Sequence, residues 1–286
     1  MYPRPFEYVR AESVDEALDL KSGSDARFIA GGHSLLALMK IRMMAPDKLV
    51  DIGRIDDLRG ISKNGGFTIG ALTTHAMVES EGDAAFPSAL SEAASMIGDP
   101  QVRNRGTVGG NVAHADPASD LPTVFAALGA TMKAQSKGGS RDIAARDFFT
   151  GLFESALSDD EILTAITVAA ESKGTGSAYV KMFNPATRYA VIGVCATVEV
   201  GSDGTCTSCA VAVGGLTPTA TVLDSVGESV VGKAVTDETA KSAAQSAVEA
   251  VGDDVMGDIY AGVDYRKRVL PVFVARALTA AAARAS

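Results

Sequence analysis

The sequence predicts an α+β protein: a two-part N-terminal domain, made of a small βαβ unit and a larger mixed α+β part, precedes a smaller C-terminal domain of sheet and helix. Three observations predict it. Near the N-terminus a short apolar strand runs through a glycine turn into a helical segment and then a second strand. The middle of the chain carries hairpin signals instead of regular strand–helix alternation. Ala-rich helical periodicity is concentrated towards the end. A chain of 286 residues has room for both domains, since a domain usually takes about 100–200 residues.

Taken in order, Ser13-Val14-Asp15-Glu16 is a capping-box pattern that opens a short helix through Leu20. Ala26 to Ala30 is an apolar strand that enters Gly31-Gly32-His33-Ser34 and the periodic segment Leu35 to Arg42, and Lys48 to Ile52 is the second strand. Asn64-Gly65-Gly66 before Phe67 to Leu72 signals a hairpin, and Phe86 to Ile97 has helical spacing. Gly98 to Pro122 reads as the least regular stretch, with a helix continuing over Val124 to Leu128. Thr131 to Ser136 and Ser140 to Ala144 flank Lys137-Gly138-Gly139 as another hairpin. Glu161 to Val168 and Ser177 to Phe183 are strands, and Ser202-Asp203-Gly204 joins the strands Ala190 to Val200 and Cys206 to Val213. Asp237 to Val251 and Asp264 to Ala283 are helical, with Pro271 a kink or restart in the second. The polar run Glu171 to Gly176 marks the domain boundary.

Composition narrows the function. There are 26 Lys and Arg against 35 Asp and Glu, a net charge of −9, and no basic run, so nucleic acid is a poor partner. No segment approaches the roughly 18 uninterrupted apolar residues of a membrane span. The N-terminus lacks the apolar core of a secretory signal, which makes the cytoplasm the expected compartment. Three cysteines, Cys195, Cys206 and Cys209, cannot frame a disulfide scaffold. The pair Cys206 and Cys209 has C-x-x-C spacing but no second Cys or His pair to complete a zinc site, and it reads as a strand edge. No metal site is expected in this chain, and no acid–base pair or nucleophile elbow stands out as catalytic.

Two glycine-rich loops carry the chemistry. In Ala30-Gly31-Gly32-His33-Ser34 the adjacent glycines allow positive φ and a close backbone approach, so exposed amides can hold an anion. The spacing is neither a Rossmann fingerprint nor a P-loop. The second loop, Asn104 to Pro122, holds Thr107, Gly109, Gly110, Asn111, His114 and Asp120. Its glycine amides offer a second phosphate site, Thr107 and Asn111 offer side-chain bonds, and Asp120 either accepts from sugar hydroxyls or caps the helix that follows. Two phosphate-type loops in one domain suit the pyrophosphate of a dinucleotide.

The pair AGGHSLLALMK (Ala30 to Lys40) and TVGGNVAHADPASDLP (Thr107 to Pro122) resembles the signature of the FAD-binding medium subunit of the molybdenum hydroxylases, the group of aerobic carbon monoxide dehydrogenase, xanthine dehydrogenase and bacterial aldehyde oxidases. The resemblance extends over nearly the whole chain, from PRPFEYVRAESVDEAL through EILTAITV to the C-terminal part. It implies an FAD-binding domain over 1–170, subdivided near residue 57, and a flavoprotein C-terminal domain over 171–286. By the same resemblance Ala30, Gly31, Gly32, His33, Ser34 and Leu35 line the FAD pyrophosphate and flavin edge. Thr107, Gly109, Gly110, Asn111, His114 and Asp120 form the opposite wall, Leu163 and Lys181 supply an apolar and a basic contact, and Tyr189 lies by the flavin ring. The family's usual string has an acidic residue before that tyrosine; here it is Thr187-Arg188-Tyr189-Ala190.

The implied role is noncovalent FAD binding and electron transfer. Substrate would be oxidised at a molybdenum cofactor in a large partner subunit, and two [2Fe-2S] clusters in a small one would feed this flavin, in a dimer of heterotrimers. Three cysteines cannot ligate a four-Cys cluster, in keeping with iron and sulfur lying in another chain. A self-contained flavin oxidase or dehydrogenase with a Gly-Gly-His-Ser loop, in which His33 would be the candidate covalent link to the flavin, is the alternative, and it generally needs a longer substrate domain. A third reading is an assembly module without cofactor. Neither the substrate of the complex nor the electron acceptor is legible in this chain.

Overall fold

The computed structural model describes residues 2–285. The N-terminal unit comprises β1 (Glu7–Arg10), α1 (Val14–Lys21), β2 (Ala26–Ile29), α2 (Leu35–Lys40) and β3 (Lys48–Asp51), with its strands parallel in the order β1-β3-β2. Ser13 Oγ accepts the Glu16 amide at 3.1 Å, and Glu16 reaches back to the Glu12 amide at 2.7 Å, so the start of α1 is fixed by its own side chains. Strand β1 was not foreseen: its exposed side chains show no alternation, and its order comes from pairing with β3, register Glu7 to Lys48.

A 3₁₀ turn at Asp56–Leu58 leads into the middle part. This contains β4 (Ile61–Lys63), β5 (Phe67–Gly70), α3 (His75–Glu79), α4 (Ser88–Met96), α5 (Pro100–Arg105), α6 (Val108–His114) and α7 (Asp120–Ala127). It continues with β6 (Thr131–Ser136), β7 (Gly139–Ala144), α8 (Ala145–Phe148), β8 (Phe149–Gly151), β9 (Glu154–Ser155) and β10 (Ile162–Val168). The main sheet is antiparallel, in the order β4-β5-β10-β6-β7, while β8 and β9 pair separately.

The stretch read as irregular, Gly98 to Pro122, holds α5, α6 and the start of α7. Asp99 Oδ1 caps α5 through the Val102 amide at 2.9 Å, and Pro100 occupies its first turn. Thr107 Oγ1 caps α6 through the Gly110 amide at 3.2 Å. Gly109 lies inside α6 because a Cβ there would stand 2.5 Å from Ala71 Cβ. It is a packing glycine, and it hides the helix from propensity reasoning.

The C-terminal part comprises β11 (Thr175–Phe183), β12 (Ala190–Val200), β13 (Cys206–Gly214), β14 (Thr221–Val222), α9 (Asp224–Val230), α10 (Asp237–Ala244), α11 (Ala247–Val251) and α12 (Val263–Ala285). The four strands form one antiparallel sheet in chain order. Two readings change here: the predicted helix over Asp237 to Val251 is two helices, and α12 runs through Pro271 without interruption. The buried Leu270, Val274 and Leu278 of α12 belong to the same apolar core as Val194 and Val198 of β12. Full burial of such a side chain contributes about 1.5–3 kcal/mol.

The sheet's other face meets α4 and α7, and Tyr179, Cys195 and Ala212 belong to the middle core. Arg284 of α12 clasps Glu92 of α4 and donates to the Ser177 carbonyl at 2.5 Å, tying the C-terminal helix back onto the middle part.

Candidate functional site

The first glycine turn leaves the end of β2 and enters α2. A side chain at Gly31 would collide with the Arg105 carbonyl, and Gly32 is left-handed at φ +80°, so both positions require glycine. Among the described residues, the amides of Gly31, Gly32, His33, Ser34 and Leu35 have no acceptor within the chain. Ser34 Oγ makes no capping bond. Five successive N–H groups are therefore free to bind an anion.

The opposing wall is built differently from the sequence expectation. The amide of Val108 donates to Thr73 O at 2.9 Å, Gly109 to Ala71 O at 2.8 Å, Gly110 to Thr107 Oγ1 at 3.2 Å and Asn111 to Thr107 O at 3.0 Å. The amides read as a second phosphate cradle are thus spent on α6 and its docking. Side chains remain. Asn111 Nδ2 donates to Ser119 Oγ at 3.1 Å, while its buried Oδ1 has no partner, a cost unless a ligand donor meets it. The His114 ring lies 5.4 Å from that of Phe153, and burial lowers its pKa, with Asp116 opposing.

Asp120 is the first residue of α7, with Ser119 in the N-cap position. Its Oδ1 accepts from Tyr179 OH at 2.6 Å and its Oδ2 from Lys181 Nζ at 2.8 Å; Lys181 also donates to Met96 O at 3.2 Å. Burial pushes the Asp120 carboxyl up and the Lys181 ammonium down, and each charge opposes the shift of the other. Lys181 therefore stands behind Asp120 and is not among the residues that border the cleft.

Tyr189 sits on the tip joining β11 to β12. Asn184 Oδ1 accepts the Ala186 and Thr187 amides at 2.9 and 3.2 Å, and the Asn184 amide donates to Tyr189 O at 2.9 Å. Arg188 adopts φ +61° with its guanidinium 5.2 Å from the Phe183 ring centre. The half-exposed Tyr189 phenol is pushed up by burial, then by Asp116 and Asp120.

These elements enclose one cleft of about 940 Å³. Ala30, Gly31, Gly32, His33, Ser34 and Leu35 border one side, with Thr107, Gly109, Gly110, Asn111, His114 and Asp120 across it. Leu163 from β10 and Tyr189 complete it. His75 lies outside both glycine loops and is not among the site residues expected from sequence. Its ring borders the cleft, its Nδ1 is buried without a partner, and burial, then the neighbouring His33 and Arg103, lower its pKa to about 4. Its adjacency to the cleft follows from Gly106, whose Cβ would fall 2.7 Å from His75 Cδ2. A signal did exist: a chain with only three histidines places this one directly after the capping Thr74.

A long cleft with an amide nest, an orphaned buried acceptor and apolar walls between two docked domains defines a dinucleotide-binding protein of the flavoprotein kind. Residues 4–170 match the family described as FAD binding domain in molybdopterin dehydrogenase, and residues 177–281 match the CO dehydrogenase flavoprotein C-terminal domain. The chain belongs to the FAD-binding medium-chain family of the molybdenum hydroxylases. It is 39% identical to the carbon monoxide dehydrogenase medium chain of Hydrogenophaga pseudoflava, covering 99% of each chain. It is 36% identical to the 6-hydroxypseudooxynicotine dehydrogenase complex subunit alpha of Paenarthrobacter nicotinovorans, covering 100% of this chain and 97% of that one. In three dimensions it matches a chain of the H. pseudoflava carbon monoxide dehydrogenase that lacks the Mo-pyranopterin moiety, with a TM-score of 0.94, 38% identity and complete coverage of both chains. The resemblance read from the two loops and the α+β fold class are both upheld.

Proposed function

We propose that this chain is the electron-relay subunit of a cytoplasmic molybdenum hydroxylase, holding FAD noncovalently in the 940 Å³ cleft. The observation that carries the reading is the run of five unpaired amides, Gly31 to Leu35, facing the unpartnered Asn111 Oδ1. The amides bind the pyrophosphate, and Asn111 accepts from a cofactor N–H or hydroxyl. Leu163 supplies an apolar surface, and Asp120 is held rigid by Tyr179 and Lys181. Tyr189 and Arg188 set the polarity at the outer lip. A neutral His75, rather than a cation, lines the interior at pH 7.

FAD, when bound, supplies exchange of single electrons with an iron–sulfur donor and of pairs with an external acceptor. The protein orients the ring and tunes its potential; no residue of this chain has to act as an acid, base or nucleophile. The donor would be two [2Fe-2S] clusters in a small partner subunit, and substrate would be oxidised at a molybdenum cofactor in a large one, the three chains assembling as a dimer of heterotrimers. The near-complete coverage of relatives named as medium chain or complex subunit supports this. Because their names point to carbon monoxide in one case and a nicotine derivative in another, the substrate is a property of the large subunit.

The test is purification of the native complex. One larger and one smaller partner subunit, iron, molybdenum and acid-releasable FAD are expected, with Asn111→Ala weakening FAD retention roughly tenfold or more. A colourless protein without partners would overturn the reading, and flavin that stays in the acid pellet would favour the covalent alternative through His33.

A further inference from the structure

A second cleft, of about 390 Å³, opens at the carboxyl ends of the parallel strands β1, β2 and β3, where open sheets commonly bind ligands. It shares Ile29, Ala30, Gly31, Leu72 and Thr107 with the lining of the main cleft. Four arginines, Arg10, Arg54, Arg59 and Arg105, converge there with one carboxylate, Asp51, although the chain as a whole carries −9.

Two of the four are already positioned. Arg59 Nη2 donates to Gly53 O at 2.9 Å, and Arg10 donates to Tyr8 OH at 3.3 Å and pairs with Asp51 at 3.6 Å. Asp51 is itself engaged by the Tyr8 hydroxyl and by the Gly53 amide at 2.8 Å. The other two, Arg54 and Arg105, have no acceptor among the described residues. Four guanidinium groups around one occupied carboxylate leave uncompensated positive charge and unused planar donor forks, and such forks match the oxygens of phosphate or carboxylate.

We propose that this second cleft is an oxyanion site, taking a phosphate-type group between Arg54 and Arg105 with Arg10 and Arg59 as its floor. None of the four borders the main cleft, so the site stands whether or not the main cleft holds FAD. The oxyanion has two possible sources, a free phosphate compound or an acidic side chain of a partner subunit, and the experiment separates them.

Inorganic pyrophosphate is titrated calorimetrically into the full-length chain, wild type and Arg54→Gln/Arg105→Gln, at low ionic strength. Saturable binding that weakens roughly tenfold or more in the double variant, with flavin content and melting temperature unchanged, is the expected result. Arg146→Gln, at an exposed arginine paired with Asp224, should bind as wild type. Absence of binding, or binding that the double variant leaves intact, overturns the proposal. Repeating the titration on the native complex identifies the source: retained binding means a free phosphate compound, and loss of binding on assembly means that a partner carboxylate fills the cleft.

Discussion

Lys181 Nζ lies 2.8 Å from Asp120 Oδ2, with 0% and 5% of the two side chains exposed. This buried ion pair joins β11 of the C-terminal sheet to α7 of the middle part, directly behind the cleft. Its desolvation cost is offset by Tyr179 and by the Met96 carbonyl, so each ionic group has a second hydrogen-bond partner.

Removing one partner should therefore cost far more than removing both. Lys181→Met is expected to destabilise the protein by about 3–5 kcal/mol, because it strands a buried carboxylate. Lys181→Met with Asp120→Leu should recover much of that loss. Urea unfolding of the four proteins in the cycle checks this, and additive losses would count against a coupled pair.

His75 should give stability a pH dependence of definite sign. Its folded pKa, about 4, lies below the unfolded value near 6.5, so the unfolded chain binds the proton more readily. Stability is full above pH 6.5 and falls as the pH drops towards 4, by about 3 kcal/mol at the lower end. In His75→Phe the slope between those limits should flatten relative to wild type, as read from chemical melts at stepped pH.

The Gly31 turn tolerates no side chain. Gly31→Ala is expected to push the turn off the Arg105 carbonyl, destabilising by about 1–3 kcal/mol and lowering the flavin-to-protein ratio of the purified chain. Gly138→Ala, at a position where the nearest neighbour of a Cβ would be 3.6 Å away, is the control for a harmless glycine. Absorbance of bound flavin after gel filtration provides the readout.

Arg188 brings positive charge to the lip of the main cleft. If FAD lies there as proposed, Arg188→Asp should lower its midpoint potential, by roughly 30 mV for each 1.4 kcal/mol of lost stabilisation of the reduced, negatively charged form. Spectroelectrochemical titration of the complex measures the shift, and an unchanged potential would place Arg188 outside the reach of the ring.

The two glycine turns were legible because a glycine pair after a strand has a mechanism: it lets the backbone expose its amides. That mechanism operates at Gly31 and Gly32, whereas Gly109 serves packing against Ala71. Sequence cannot tell these apart, since the difference lies in a neighbour 38 residues away. Hairpins with their own turn residues, such as β6–β7 and β12–β13, were equally readable. Strand β1 and helices α5 and α6 were not, because their order comes from pairing and docking rather than from their own periodicity. The pairing of Lys181 with Asp120 was not legible, because only the packing of β11 on α7 brings the two together.

The two clefts share Ile29, Ala30, Gly31, Leu72 and Thr107, and within that common wall Gly31 lies against the Arg105 carbonyl. A wall without a side chain transmits displacement instead of absorbing it. Any coupling between the two compartments passes through this shared wall, and thermodynamic reciprocity makes such an influence equal in both directions. A shared backbone wall is thus the route by which occupancy of the smaller cleft would be felt in the larger one.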